Sequence, residues 1–267
     1  QVFFVSTSNK TVYRIDMEIE NIAEFNELFI VQPKNYVEYV EQTRENNLSL
    51  YVVANPLKAN QYTYYTFEIR PELFKDLLFK DTKIVKKEVD GAIEGYKDDM
   101  SLLEFNTETK IMEYVDPSTE SISAITPYNL LKYSFDFVNE HGGFTDDYRF
   151  ASMNLQKHLV EYQLYLQGYP VFSSTALTRI STTWGEDRIH RYRRPYYYLD
   201  LDFDLENEIT VKKLDSGVDM VHYIEKHPEL DLSKIDDIVI GYDLIQNPDS
   251  RLFRLEPSWF AITGNTG

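Results

Sequence analysis

From Tyr196 to Glu206 the residues alternate without a break. Tyr197, Leu199, Leu201, Phe203 and Leu205 fall on one side, and Tyr196, Tyr198, Asp200, Asp202, Asp204 and Glu206 on the other. Side chains of a strand point to opposite faces in turn, so the run predicts a long strand with one buried and one acidic face. The stretch before it has the opposite character. Between Arg188 and Arg194 stand four arginines and a histidine, in a chain whose formal net charge is −17. Thr178 to Trp184 is expected to be the strand entering a turn at Gly185, Glu186 and Asp187. Pro195 has no N–H to give to a ladder and is expected to interrupt pairing or lie at an edge. Two readings of the positive island stand side by side: a surface hairpin whose arginines pair with neighbouring carboxylates, or a docking surface.

The 267 residues suffice for two domains of ordinary size, and 43% hydrophobic content marks a globular chain. Aromatic residues make up 15%, 21 of them tyrosines, which points to extensive sheet with half-buried positions. A pI of about 4.7 disfavours nucleic acid and anionic membrane surfaces, because both repel a negatively charged partner. With no cysteine there is no disulfide and no thiolate chemistry. No apolar run approaches the roughly 18 residues of a membrane span. The chain starts at Gln1 rather than at an initiator methionine, which leaves room for an anchor upstream.

Along the chain, strands are expected at 1–5, 11–19, 48–54 and 62–69, then in a meander over 84–89, 100–105 and 111–115 that turns at Asn106-Thr107-Glu108. Pro33 is expected to open a helix carrying Tyr36, Val37, Val40 and Arg44. Arg70-Pro71 opens a shorter one with Leu73, Phe74, Leu77 and Leu78 inward. Asp116 to Thr126, rich in Ser, Thr and Asp, marks a domain boundary and gives domains over 1–120 and 121–267. Thr126 is the expected N-cap of a helix with Pro127 at its first position. Leu131, Phe135 and Val138 form its core stripe, and Gly142-Gly143 end it. Strands follow at 148–153, 159–166, 209–214, 235–244 and 252–262, with a turn at Gly168-Tyr169-Pro170 and a helix capped by Ser216 and Asp219 and stopped by Pro228. The fold class is therefore α+β, two domains of mainly antiparallel sheet with a few packed helices.

Asp200-x-Asp202-x-Asp204 opens like a calcium loop, but Leu205 and Val211 stand where that loop needs Gly and a bidentate Glu. His222 and His227 are five apart, roughly 140° around a helix, and so cannot chelate together; a helix end where histidine meets terminal carbonyls is the reading. His141-Gly142-Gly143 is explained by a helix C-cap, since the chain has no Gly-x-Ser-x-Gly elbow to accompany an oxyanion loop. Phosphate loops and dinucleotide fingerprints are absent. No cofactor, metal or catalytic residue is expected.

Several motifs carry a resemblance. Phe137-Val138-Asn139-Glu140-His141-Gly142-Gly143-Phe144, Tyr165 to Phe172, Thr183-Trp184-Gly185 followed by Tyr192-Arg193-Arg194, Ile240-Gly241-Tyr242 and Leu255 to Phe260 together resemble the YycH family of Gram-positive bacteria. The resemblance runs from about Tyr128 to Phe260 and is thinner before Asp116, where mainly Gly91 to Pro117 looks similar; the tail from Ala261 departs from the family's pattern. It implies a single-pass membrane protein whose bulk is extracytoplasmic, anchored by an N-terminal helix absent from this chain. It further implies a non-enzymatic regulator of the WalK/WalR (YycG/YycF) sensor-kinase system of cell-wall metabolism, acting by contact with YycI and the kinase. A module sensing a wall-derived small molecule and an unrecognised wall hydrolase are the alternatives.

On this reading the arginines divide by strand parity. Arg188 and Arg194 share a face with Tyr192, while Arg191 and Arg193 share the other with Ile189. Arg191 and Arg193 are expected to be structural, paired with Asp200, Asp202 and Asp204. Arg188, Tyr192 and Arg194 are the expected protein-interaction residues, open to YycI or the kinase.

Overall fold

A computed structural model of the chain describes residues 2–6, 11–31, 36–45, 47–119, 124–185, 188–201, 209–227, 229–246 and 251–264. They fall into two compact units. The first comprises Gln1–Lys58, Lys213–Val239 and Trp259–Gly267; the second comprises Ala59–Lys212 and Ile240–Ser258.

The first unit opens with an antiparallel hairpin, β1 (Val2–Ser6) and β2 (Thr11–Ile15), paired from Val2↔Ile15 to Ser6↔Thr11. A five-residue helix, α1 (Ile22–Asn26), is capped by Asn21, whose side chain accepts from the Glu24 N–H at 3.0 Å; a π-helical turn (Glu27–Val31) continues it. Every side chain from Thr11 to Val31 is exposed, so the alternation read over 11–19 marks no core face, and the strand stops at Ile15.

The helix expected from Pro33 is corrected. Pro33 lies outside the described residues, and Tyr39–Arg44 forms a strand, β3, paired with β4 (Asn47–Val53). Half-buried Val40, Gln42 and Arg44 alternate with exposed Tyr39, Glu41 and Thr43. That period of two, in a segment of Tyr, Val and Thr, outweighs the helical spacing of its apolar residues. Across it β4 buries Leu50 and Val52. These pack with Val221 and Ile224 of α4 (Gly217–Glu225) and with Ile235 and Ile238 at the start of β17 (Ile235–Gln246). Arg44 donates to the carbonyls of Leu48, Leu232 and Ile235 at 2.7, 2.9 and 2.6 Å, tying the hairpin to a 3-10 turn at Leu232–Lys234. The expected capping box is present at α4: Ser216 Oγ accepts from the Asp219 N–H at 3.1 Å, and Asp219 Oδ2 accepts from the Ser216 N–H at 3.1 Å. His227 lies beyond α4 and its ring meets the Tyr223 carbonyl at 2.7 Å, the helix-end role expected of it; Pro228 is outside the described residues.

The second unit is built on sheet. Its strands are β5 (Leu57–Glu68), β6 (Lys86–Asp90), β7 (Ile93–Lys97), β8 (Leu102–Asn106), β9 (Ile111–Val115), β10 (Tyr148–Asn154), β11 (Leu159–Leu166), β12 (Tyr169–Phe172), β13 (Arg179–Trp184), β14 (Ile189–Pro195) and β15 (Tyr197–Leu199), with parts of β17 and β18 (Leu252–Thr263). Their order is β15-β5-β18-β17-β12-β11-β13-β14-β9-β8-β7-β6, with β10 beside β11 and β16 (Thr210–Leu214) beside β5. The pairings β15–β5, β5–β18, β12–β11, β11–β13, β13–β14 and β14–β9, the run from β9 to β6, and β10–β11 are antiparallel, while β12–β17 is parallel with Val171↔Tyr242. β7 was not expected: Gly95 at its centre lowers strand propensity, and only Tyr96 of its residues is buried. The turn expected at Gly168-Tyr169-Pro170 sits one residue earlier, at Gln167-Gly168, and releases Tyr169 and Pro170 into β12. One core cluster places Phe74 of α2 (Pro71–Leu78) and Leu130, Phe137 and Val138 of α3 (Pro127–Glu140) against Phe105, Met112, Tyr162, Ile180 and Tyr192 of the sheet.

Three further expectations are corrected here. Thr126 caps α3 as read, accepting from the Asn129 N–H at 3.3 Å, but Leu131 and Phe135 are exposed, and Leu130, Ser134, Phe137 and Val138 face inward. The long strand read from Tyr196 is described only as β15, where Tyr197 and Leu199 are buried as expected, but Tyr196 is buried and Leu201 exposed against the alternation; residues 202–208, Asp202, Asp204 and Glu206 among them, lie outside the described residues. The boundary at Asp116 to Thr126 is not where the compact units divide. β9 before it pairs with β14 after it, from Arg191↔Val115 to Pro195↔Ile111, so both flanks belong to one sheet. A polar, turn-rich composition marks a connection, and here it connects a sheet to its own covering helix.

Ser216→Ala removes one half of the α4 capping box and leaves the Asp219 N–H without its acceptor. It is expected to cost about 1 kcal/mol of stability, read from the shift in a urea denaturation midpoint at unchanged slope.

Candidate interaction site

β13 and β14 form the hairpin that carries the positive stretch. The register runs Ser181↔Arg193, Thr182↔Tyr192 and Thr183↔Arg191, then slips by a bulge to Trp184↔Ile189. A bulge inserts one residue and changes which face the chain presents beyond it. Ile189, which shares parity with Arg191 and Arg193 in an unbroken strand, is therefore buried while those two arginines point outward.

The outward pair shares one carboxylate. Arg191 Nε lies 3.2 Å from Glu113 Oε1 and Arg193 Nε 3.7 Å from Glu113 Oε2, with half-exposed side chains. Their expected partners were Asp200, Asp202 and Asp204; Glu113, directly opposite Arg193 on β9, takes that role.

The inward pair reverses the expected assignment. Arg194 and Tyr192 have no exposed surface, so neither is available to a partner. The reason lies at the C-terminus of α3, whose last carbonyls have no partners within the helix. Tyr192 donates its phenol O–H to the His141 carbonyl at 3.1 Å. Arg194 Nη1 donates to the Gly143 carbonyl at 2.8 Å and to Tyr192 Oη at 2.9 Å, and Nε donates to the Pro195 carbonyl at 3.1 Å. A cation at a helix C-terminus also gains from the aligned peptide dipoles. The guanidinium lies 5.4 Å from the centre of the Phe74 ring. Gly142 makes the approach possible: its φ is +100°, and a Cβ there would stand 2.7 Å from Phe74 Cε1 and 3.0 Å from Arg194 Nη1.

Among the described residues no carboxylate contacts Arg194 directly. Its Nη2 reaches Thr145 Oγ1 at 3.4 Å, and that hydroxyl donates to Asp146 Oδ2 at 3.1 Å, while Asp146 Oδ1 accepts from the Leu199 N–H at 3.1 Å. Burial raises the Asp146 carboxyl above its ordinary value, against the hydrogen bonds from Leu199 and Thr145 and the charge of Arg194. Burial likewise pushes up the phenols of Tyr148, Tyr192 and Tyr197 around this centre, and the Tyr148 hydroxyl has no partner among the described residues.

Arg188 is the member of the expected triad that stays at the surface, with a side chain 43% exposed. Its Nη1 is 3.9 Å from Asp116 Oδ2, and its Nη2 donates to Ser118 Oγ at 3.4 Å. It stands at a cleft of about 310 Å³ whose walls include Phe79, Tyr114, Phe137, His141 and Trp184. Sequence reading missed this cleft. Trp184 and Arg188 are near neighbours in the chain, but Phe79, Tyr114 and Phe137 reach it from three other elements. Among the described residues no group of three or more His, Asp or Glu side chains is arranged to hold a metal.

These features define a mainly antiparallel α+β protein whose positive stretch is spent partly on its own core and partly on one cleft. Residues 47–266 match the model of the YycH protein, C-terminal domain, and the chain belongs to the YycH family. It is 25% identical over 279 aligned residues to the two-component system WalR/WalK regulatory protein YycH of Bacillus subtilis (strain 168), covering 96% of this chain and 60% of that protein. The crystal structure of YycH from Bacillus subtilis superposes with a TM-score of 0.80 at 21% identity, covering 99% of this chain and 65% of that one. The chain thus spans less than two thirds of the length of these relatives.

Two outcomes follow. Arg194→Ala leaves the Gly143 and Pro195 carbonyls without this donor and Asp146 without its nearby cation, and is expected to cost about 3–5 kcal/mol. Arg191→Ala with Arg193→Ala is expected to cost about 0–1 kcal/mol, both read by chemical denaturation. Asp146 also sets a pH dependence. Its folded value lies above the unfolded one of 3.8, so the native state holds the proton more tightly. Its contribution to stability is present in full below the unfolded value and is lost as pH rises through the raised folded value. Stability measured across the acidic range for the native chain, minus that for Asp146→Asn, is expected to fall with rising pH in that window; a flat difference would refute it.

Proposed function

We propose that the chain is a non-enzymatic, extracytoplasmic regulator of a WalK-type sensor kinase, acting by protein contact with the kinase and with a YycI-like accessory protein. The observation that carries this reading is the match along 96% of the chain to a protein named as a regulator of the WalR/WalK system. The residues add support of a negative kind. Burial raises Asp146, Tyr148 and Tyr197 in the interior around Arg194, a setting that fits a structural role. No helix among the described residues is long and apolar enough to cross a membrane, and in this reading the attachment lies in a segment outside the sequence.

The test is a WalR-dependent transcriptional reporter in cells from which the segment corresponding to this chain is removed and the remainder of the protein retained. Reporter output is expected to change severalfold relative to the intact protein. Output indistinguishable from the intact strain, with the truncated protein present at normal levels, would overturn the proposal.

A further inference from the structure

The cleft beside Arg188 joins five elements of the second unit: the end of α2 (Leu78, Phe79, Lys80), the β7–β8 turn (Asp98, Met100, Ser101), the end of β9 (Tyr114, Asp116), α3 (Phe137, His141) and the β13–β14 hairpin (Trp184, Arg188). Its apolar wall holds two ring pairs. The Phe79 and Tyr114 rings meet edge to face at 6.0 Å, and the Phe137 ring meets Trp184 edge to face at 5.9 Å. Met100, 55% exposed, adds a flexible apolar side chain at the rim. About 310 Å³ is room for a few side chains rather than for a folded element.

The charges around it are unevenly engaged. Asp98 Oδ1 accepts from the N–H groups of Met100 and Ser101 at 2.9 and 2.7 Å, and Asp116 Oδ1 from the N–H and hydroxyl of Ser118 at 3.0 and 2.6 Å. The cations are held far less. Among the described residues the exposed Lys80 has no ion-pair partner, and the one carboxylate paired with Arg188 stands at 3.9 Å, too far for a direct hydrogen bond. A guanidinium with donors to spare beside an aromatic wall is fitted to a carboxylate, which it binds through paired N–H groups. The indole N–H of Trp184, also in this wall, is buried without an acceptor among the described residues.

Building on the regulator reading for its partner, we infer that this cleft docks a short peptide segment of a partner protein, one carrying an Asp or Glu carboxylate next to a bulky apolar side chain. The carboxylate lies against Arg188 and Lys80, and the apolar side chain lies on Phe79, Tyr114 and Met100. In a chain of net charge −17 this is a place where an acidic segment meets cations with donors to spare.

The experiment has two arms. In the first, capped tetrapeptides with Asp or Glu flanked by Leu or Phe, and their Lys-substituted counterparts, are titrated against the chain and against Lys80→Glu with Arg188→Glu, with binding read by ligand-observed NMR. The acidic peptides are expected to bind, to weaken severalfold as salt is raised, and to weaken about tenfold or more on charge reversal. Equal binding of acidic and Lys peptides, no binding by any acidic peptide, or binding unmoved by the reversal overturns the inference. The second arm places the doubly reversed variant in the reporter strain, with its melting temperature checked to within about 2 °C of the unaltered protein. It is expected to reproduce the segment-deletion phenotype. If the deletion changes output and the reversed variant behaves as the intact protein, the docking assignment fails and the regulator reading stands. If the peptides bind and the deletion changes nothing, the regulator reading fails and the docking site stands.

Discussion

The helix α3 runs into the turn His141-Gly142-Gly143, and the carbonyls at and just past a helix C-terminus are left for something outside the helix to satisfy. Arg194 and Tyr192 are that something. Their placement explains much that surrounds them. Gly142 has no side chain because Phe74 and the guanidinium occupy the space beside it. Thr145 and Asp146 place a carboxylate one hydroxyl away from the charge, and Asp146 in turn accepts from β15 through the Leu199 N–H. A direct buried ion pair satisfies both charges in one contact; here the compensation is spread over carbonyls, two hydroxyls and an aromatic face. Such a centre demands that helix, hairpin and β15 be in place together, because removing any one leaves a polar group buried without a partner.

The same hairpin serves the outside. A bulge between Thr183 and Trp184 lets Ile189 and Tyr192 both face inward, although an unbroken strand would put them on opposite sides. What remains at the surface is a pair of arginines shared by Glu113, and Arg188, which is held only loosely. Seven consecutive residues therefore contribute to a core, a surface ion-pair network and a cleft, and the division among the three follows from one register slip.

Much of this was legible in the residues, and the failures have physical causes. Alternation found most of the strands and the α+β class, and cap chemistry placed α3 and α4 from Thr126 and Ser216 with Asp219. The segment from Tyr36 to Arg44 was misread because Tyr36, Val37, Val40 and Arg44 also satisfy helical spacing; the strand partner that decided the matter, β4, is a tertiary fact. The stripe of α3 was misplaced because Leu131 and Phe135 are apolar but exposed, while Ser134 is buried through its bond to Thr182. The parity was right for Arg191 to Arg194, with its consequence inverted, and the bulge broke it for Arg188 and Ile189. Parity says which residues share a face, but not that one face must cap a helix end. The cleft was invisible because its walls come from residues more than a hundred positions apart.

The division of the chain into units also bears on the order in which it can fold. The first unit draws on three separate stretches, and its core joins Leu50 and Val52 to Val221, Ile224, Ile235 and Ile238. The second unit is inserted between those stretches. A ribosome therefore finishes β3 and β4 long before it makes the helix and strand that cover them. Loop-closure entropy makes contacts of such sequence separation slow to form, and their apolar residues stay uncovered in the meantime. The inserted unit completes most of its own sheet first. The first unit is thus the late-assembling part of the molecule, and the part whose nascent form most needs protection from association.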